Sequence, residues 1–123
     1  MNNKFNLFVY SDDPNFCSAL ALECNKYGFE LVFFEVANIK NIFDDNSNLI
    51  SVVIIDLDNG IADKKMRLGE SARINSNFPV FGVINKITKN IQQRSKDYGF
   101  DLIITKRMLL KSIKKVVVHI STQ

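Results

Sequence analysis

The residues of this sequence that could do chemistry are carboxylates and a lysine placed at the ends of apolar runs. In "SVVIIDLDNG", residues 51 to 60, four β-branched residues, Val52, Val53, Ile54 and Ile55, lead into Asp56, with Asp58 two positions on. "NLFVY" (6 to 10) runs into Ser11, Asp12 and Asp13, and "DLIIT" (101 to 105) ends at Thr105 and is followed by Lys106. Acids beside a cation can bind a charged ligand. They can equally cap helices or pair with one another, and Asp12 or Asp13, just before Pro14, suits a helix start in either case. Other chemistries lack their residues: there is no GxGxxG after the first apolar run, no GxxxxGK[ST] and no Ser/His/Asp set. The one histidine, His119, reads as a surface or partly buried side chain.

The elements that must position these residues alternate. The run 6–10 reads as a strand, and Phe16, Leu20, Cys24 and Tyr27 then recur at helical spacing until Gly28 ends the stripe. "FELVFF" (29 to 34) reads as a second strand and "NIKNIFDD" (38 to 45) as a short helix with Ile39, Ile42 and Phe43 inward. "SVVIID" is a third strand, and a helix interrupted by Gly69 follows it. "PVFGVI" (79 to 84) is a fourth strand, a helix capped by Thr88 runs toward Gly99, and 101–105 is a fifth strand before a last helix in "MLLKSIKKVVVHIS". Short, wholly apolar strands separated by helices are buried on both sides, the mark of a parallel sheet covered on both faces. Right-handed crossovers then leave few topologies, and the expected fold is α/β: a flavodoxin-like, doubly wound, five-stranded parallel (βα)5 sheet of strand order 2-1-3-4-5. Ligands of such sheets bind at the carboxyl ends of the strands, where the three polar clusters fall.

Composition agrees with one soluble domain spanning residues 1–123. The chain is 46% hydrophobic and 24% charged, with ten Phe and no Trp, so a Phe-rich core is expected. A net charge of +3 is mild, and Lys111, Lys114 and Lys115 read as a solvated helix face, with no direct nucleic-acid contact expected. Cys17 and Cys24 are two helical turns apart, without a CxxC pair or nearby histidine, and read as buried or half-buried thiols. No stretch reaches the roughly eighteen apolar residues needed to cross a bilayer and the start has no signal-peptide pattern, so the expected location is the cytoplasm.

These motifs resemble the receiver domain of bacterial two-component response regulators over essentially the whole chain. "VYSDDP" is similar to that family's first-strand acidic motif, "VVIIDLDNG" to its phospho-acceptor motif, "PVFGVIN" to its fourth strand and "GFDLIITKR" to its fifth strand with its lysine. The spacings, 44 residues from Asp12 to Asp56 and 50 from Asp56 to Lys106, lie in the family's range. The resemblance implies a non-enzymatic signalling domain that accepts a phosphoryl group at Asp56 from a histidine kinase or phosphotransfer protein, with Lys106 contacting the phosphoryl oxygen as a point charge. It also implies Mg²⁺, held by Asp12, Asp56 and the backbone carbonyl of Asp58, with Ser11 or Asp13 nearby. Its partner surface would be the face formed by helix four, strand five and helix five, here carrying Gln92, Lys96, Arg107, Lys111 and Lys114, which could also pair two copies weakly.

The departures from the pattern point to altered output. Ser11 stands where the first acid is expected, which removes a negative charge from the metal site and should weaken Mg²⁺ binding. The switch positions have become Ile84, where a hydroxyl is expected, and Ile103, where an aromatic is expected; Arg107 and Gly60 replace prolines. Two readings follow: a phospho-acceptor at Asp56 with atypical switching, or a phosphorylation-independent pseudo-receiver acting as a protein-interaction module. In the second, Lys106 is a salt-bridge partner of Asp56 that holds the rim together. An unrelated doubly wound enzyme or nucleotide binder is disfavoured by the missing motifs.

Overall fold

A computed structural model of the protein describes residues 5–45, 50–59 and 62–121. The elements run β1 (Phe5–Tyr10), α1 (Pro14–Tyr27), β2 (Glu30–Phe33), a 3-10 turn (Val36–Asn38) leading into α2 (Ile39–Asp45), β3 (Ile50–Asp56), α3 (Ala62–Asn75), β4 (Val80–Ile84), α4 (Lys89–Asp97), β5 (Leu102–Thr105) and α5 (Lys106–Ser121). The strands form one sheet in the order β2-β1-β3-β4-β5, every neighbouring pair parallel, as the sequence predicts.

Burial on both faces explains the strand composition. Along β3, Val52 and Ile54 face a cluster built with Phe16 and Leu20 of α1 and Leu109 and Ile113 of α5. Val53 and Ile55, alternating with them, face the opposite cluster with Phe43 of α2 and Met66 of α3. That second layer is the Phe-rich one: Phe8 stacks at 5.9 Å on Phe78 and meets Phe43 edge-on at 5.3 Å.

Local signals set the ends of the elements. Asp13 caps α1, its Oδ1 accepting from the backbone N–H groups of Asn15 and Phe16, with Pro14 in the first turn. Gly28, at φ 70°, closes α1 in the left-handed conformation. Thr88 caps α4 through the N–H of Ile91. Gly69, an apparent breaker inside α3, has a packing reason: a Cβ there would lie 2.3 Å from the Phe100 ring. Tyr27, placed on the inward stripe by its spacing, is exposed instead, its ring lying 5.7 Å from that of Phe29. The last helix begins two residues earlier than its apolar pattern suggests, so no loop separates β5 from α5 and Lys106 is the first helical residue. Thr105 supplies the cap, its hydroxyl accepting from the N–H of Met108. Gly60 and Ile61 lie outside the described residues.

One residue departs from the apolar pattern inside the sheet. Asn6 of β1 is buried, and its side-chain Nδ2 finds no hydrogen-bond partner among the described residues. A buried donor left unpaired costs about 1–3 kcal/mol. Asn6→Val should therefore raise stability by about 1 kcal/mol, read as a higher urea midpoint at unchanged slope. A lower midpoint would show that Nδ2 is satisfied in solution.

Candidate functional site

Parallel strands place their carboxyl ends on one rim, and β1, β3 and β5 bring their polar ends together there. Asp56, the last residue of β3, is fully buried, with 0% exposure, as is Lys106, at 5%. Each Asp56 oxygen is occupied. Oδ2 accepts from the Ser11 hydroxyl at 2.6 Å and from Lys106 Nζ at 2.9 Å, while Oδ1 accepts from the Asp58 N–H at 2.9 Å.

Lys106 is the hub. Its ammonium lies 2.9 Å from Asp56, 2.9 Å from Asp58 and 3.0 Å from Asp13, so three protons meet three carboxylates, with the Phe16 ring 5.4 Å away. Burial pulls the Lys106 pKa down, but hydrogen bonds to Asp58, Asp56 and Asp13 outweigh it and hold the ammonium above its ordinary range. Asp13 is shifted down, first by the Phe16 N–H that it caps and then by its hydrogen bond to Lys106.

Ser11 and Asp58 brace this cluster. The Ser11 oxygen donates to Asp56 and accepts the N–H of Asp13, tying the end of β1 to the end of β3. The Asp58 carboxylate also accepts the N–H of Asn85, the residue after β4, which ties in a third strand end.

The two acids of the first motif are separated by the helix cap. Asp13 turns its second oxygen to Lys106, whereas Asp12, 65% exposed, faces outward and has Lys65 of α3 as its nearest cation, at 3.9 Å. Motif alignment selects Asp12 for the metal, but the cap geometry brings Asp13 to the hub. The Asp58 carbonyl, the expected backbone ligand, accepts a hydrogen bond from Lys65 Nζ. Sequence reasoning missed Lys65. Its one signal is its place four residues into the helix after the Asp56 loop, and only the helix phase distinguishes it from Lys64.

The residues present do not fit Mg²⁺ in this arrangement. Asp56 and Asp13 are bound to Lys106 and the Asp58 carbonyl to Lys65, Asp12 lies 3.9 Å from Lys65 and faces outward, and among the described residues no three carboxylate, histidine or cysteine side chains are grouped to hold an ion. The positions expected to report a phosphate are hydrocarbon: Ile84 is buried in the α2–α3 layer and Ile103 packs against it. On the expected partner face, Gln92, Lys96, Arg107 and Lys111 are exposed, but Lys114 lies over the Tyr27 ring of α1, on the other side of α5.

Comparison with solved structures identifies the fold. The chain is similar to a response regulator receiver domain from Rhodospirillum rubrum, 18% identical over 96% of this chain and 94% of that one, with a TM-score of 0.70. It is also similar to the signal receiver domain of the response regulator NarL from Mycobacterium tuberculosis, 14% identical over 98% of both chains with a TM-score of 0.76. A third likeness, 9% identical over 96% of this chain and 98% of that one with a TM-score of 0.69, is to the receiver domain of a sensor histidine kinase from Pseudomonas aeruginosa; that protein has a magnesium ion coordinated in its active-site cleft. The sequence matches no family model and no curated protein. The protein has the receiver-domain fold, the flavodoxin-like architecture expected from its strands. Among the described residues, no helix is long and apolar enough to cross a membrane.

Proposed function

We propose that residues 1–123 form one receiver-like signalling domain of a bacterial two-component system, and that it acts as a phosphorylation-independent pseudo-receiver, a cytoplasmic protein-interaction module without enzymatic activity. The observation that carries this reading is the closure of the Asp56 carboxylate: it is fully buried, and both oxygens are bound within the protein. To attack a phosphorus atom, Asp56 Oδ2 would have to leave Lys106 and Ser11, and Oδ1 would have to turn from the Asp58 N–H that it accepts. The incoming group would then bring further negative charge beside Asp13 and Asp58, whose carboxylates already share the same ammonium. Ile84 and Ile103 offer a phosphoryl group no donor and no aromatic to displace.

The output surface in this reading is the exposed face of α4, β5 and α5, which has a groove lined by Gln92, Ser95, Lys96 and Asp101 and exposes Arg107 and Lys111. A downstream protein is the partner proposed for it, with weak self-pairing through the same face.

A second reading has one observation in its favour. Lys106 Nζ lies 2.9 Å from Asp56 Oδ2, the neighbourhood in which a lysine would contact a phosphoryl oxygen supplied by a histidine kinase or phosphotransfer protein. The two readings separate in one experiment. Incubation with acetyl phosphate and Mg²⁺, followed by intact mass, should give no phosphoryl adduct. An adduct that Asp56→Asn abolishes would instead make Asp56 a phospho-acceptor.

A further inference from the structure

Three protein oxygens would hold a divalent ion if this rim followed the pattern that its motifs resemble: the Asp12 carboxylate, the Asp56 carboxylate and the Asp58 carbonyl. In the structure each of them has an ammonium within 3.9 Å. Asp56 faces Lys106 at 2.9 Å, and the other two share Lys65, which hydrogen-bonds the Asp58 carbonyl and lies 3.9 Å from Asp12 Oδ1. We infer that Lys65 is a tethered cation standing in the place of the divalent ion, so that the rim is held closed by two lysines and excludes metal.

The side chain is built into this position. Lys65 sits in the first turns of α3 with its side chain only 11% exposed, although it follows the exposed Lys64. Its neighbour on the other side, Met66, is fully buried in the core, which fixes the phase of the helix and points Lys65 over the rim. A hard cation needs the same carbonyl lone pairs at a shorter distance than a hydrogen bond allows, and it would meet Nζ at contact range, where two positive charges repel. Lys65 acts through its hydrogen bond to the Asp58 carbonyl. It is a positioning residue that fixes the loop carrying Asp58, and through Asp58 the hub Lys106.

The inference deepens the pseudo-receiver reading and rests on it only for its biological sense, since metal exclusion can be measured without phosphate. Mn²⁺ serves as the probe, titrated into wild type, Lys65→Met and Lys64→Met and followed by the loss of the free-ion EPR signal. Methionine retains the apolar stem of Lys65 and removes its charge. Lys65→Met should bind Mn²⁺ at least about tenfold more tightly than wild type, the scale of removing one unit charge from about 4 Å away under partial screening. Lys64→Met should behave as wild type. The thermal midpoint gives a second readout, because Mg²⁺ should raise it for Lys65→Met and leave it unchanged for wild type.

Equal Mn²⁺ affinity in wild type and Lys65→Met, or the same gain in Lys64→Met, would overturn the inference. Should Lys65→Met fail to fold by circular dichroism, Lys65→Gln carries the same comparison. The outcomes stay separable from the acetyl phosphate experiment. Tight Mn²⁺ binding by wild type without an adduct sinks the role of Lys65 alone, whereas an adduct with weak wild-type Mn²⁺ binding sinks the pseudo-receiver reading alone.

Discussion

Lys106→Met is expected to lose about 3–5 kcal/mol of stability at neutral pH, because removing one partner of a buried ion pair leaves an uncompensated charge inside the protein. The stranded group is Asp56, at 0% exposure, with Asp13 and Asp58 beside it and, among the described residues, no other ammonium paired with all three. Urea unfolding measures the loss. Adding Asp56→Asn to Lys106→Met should recover part of it, since the neutral amide no longer needs a counter-charge while Ser11 can still bond it. A single variant within about 1 kcal/mol of wild type, below the usual cost of breaking a buried pair, would show that the cluster is wetter than its geometry implies. The pH dependence has a definite sign. The Lys106 pKa is raised on folding, so its contribution is complete below its ordinary value of 10.5 and fades as pH climbs through the higher folded value. Asp13, lowered on folding, acts oppositely: its contribution is present above its ordinary 3.8 and is lost as acid titrates it. Lys106→Met should therefore lose the alkaline limb of the wild-type stability profile.

Phe8→Ala should cost about 3–5 kcal/mol, the range for deleting a buried aromatic side chain. Phe8 is fully buried between Phe43 and Phe78, which are themselves in edge contact at 5.7 Å, so its removal opens a cavity walled by rings that cannot collapse without breaking that contact. Phe33 is the matched control. It ends the edge strand β2 with 52% of its surface exposed, and Phe33→Ala should change stability by no more than about 0.5–1 kcal/mol. Comparable losses for the two variants would mean that the aromatic layer is not the packed unit described.

The sheet was legible because burial on both faces leaves a direct trace. Val52 to Ile55 can be apolar without alternation only if helices cover both sides, and the strand order then follows from handed crossovers. The candidate site was legible in its strand ends but not in its wiring. Asp56, Ser11 and Lys106 meet as their places after β3, β1 and β5 require. Which of Asp12 and Asp13 joins them depends on the α1 cap: a side chain that accepts from the N–H groups of Asn15 and Phe16 must turn over the rim, and Asp12 is then left facing outward. The place of Lys65 depends on the rotation of α3 about its axis, which Met66 and its core neighbours set, and a pair of adjacent lysines carries no record of that. Gly69 was misleading in sequence for a similar reason, since the ring it admits belongs to Phe100, 31 residues away.

The cluster at the rim also has a consequence for the order in which the chain can fold. Ser11 and Asp56 are 45 residues apart, and Asp13 and Lys106 are 93 apart, so the charge on Asp56 is neutralised only when the first, third and fifth strands are all in place. Contacts of such separation close late, after the loops between them have been ordered. Were β1 and β3 to bury Asp56 before Lys106 joined them, its charge would lack the ammonium that pairs with it in the finished fold, at the cost of an uncompensated buried ion. The buried acid thus works against premature closure of the sheet, and the arrival of α5, which begins at the lysine itself, is the event that lets the third strand go under.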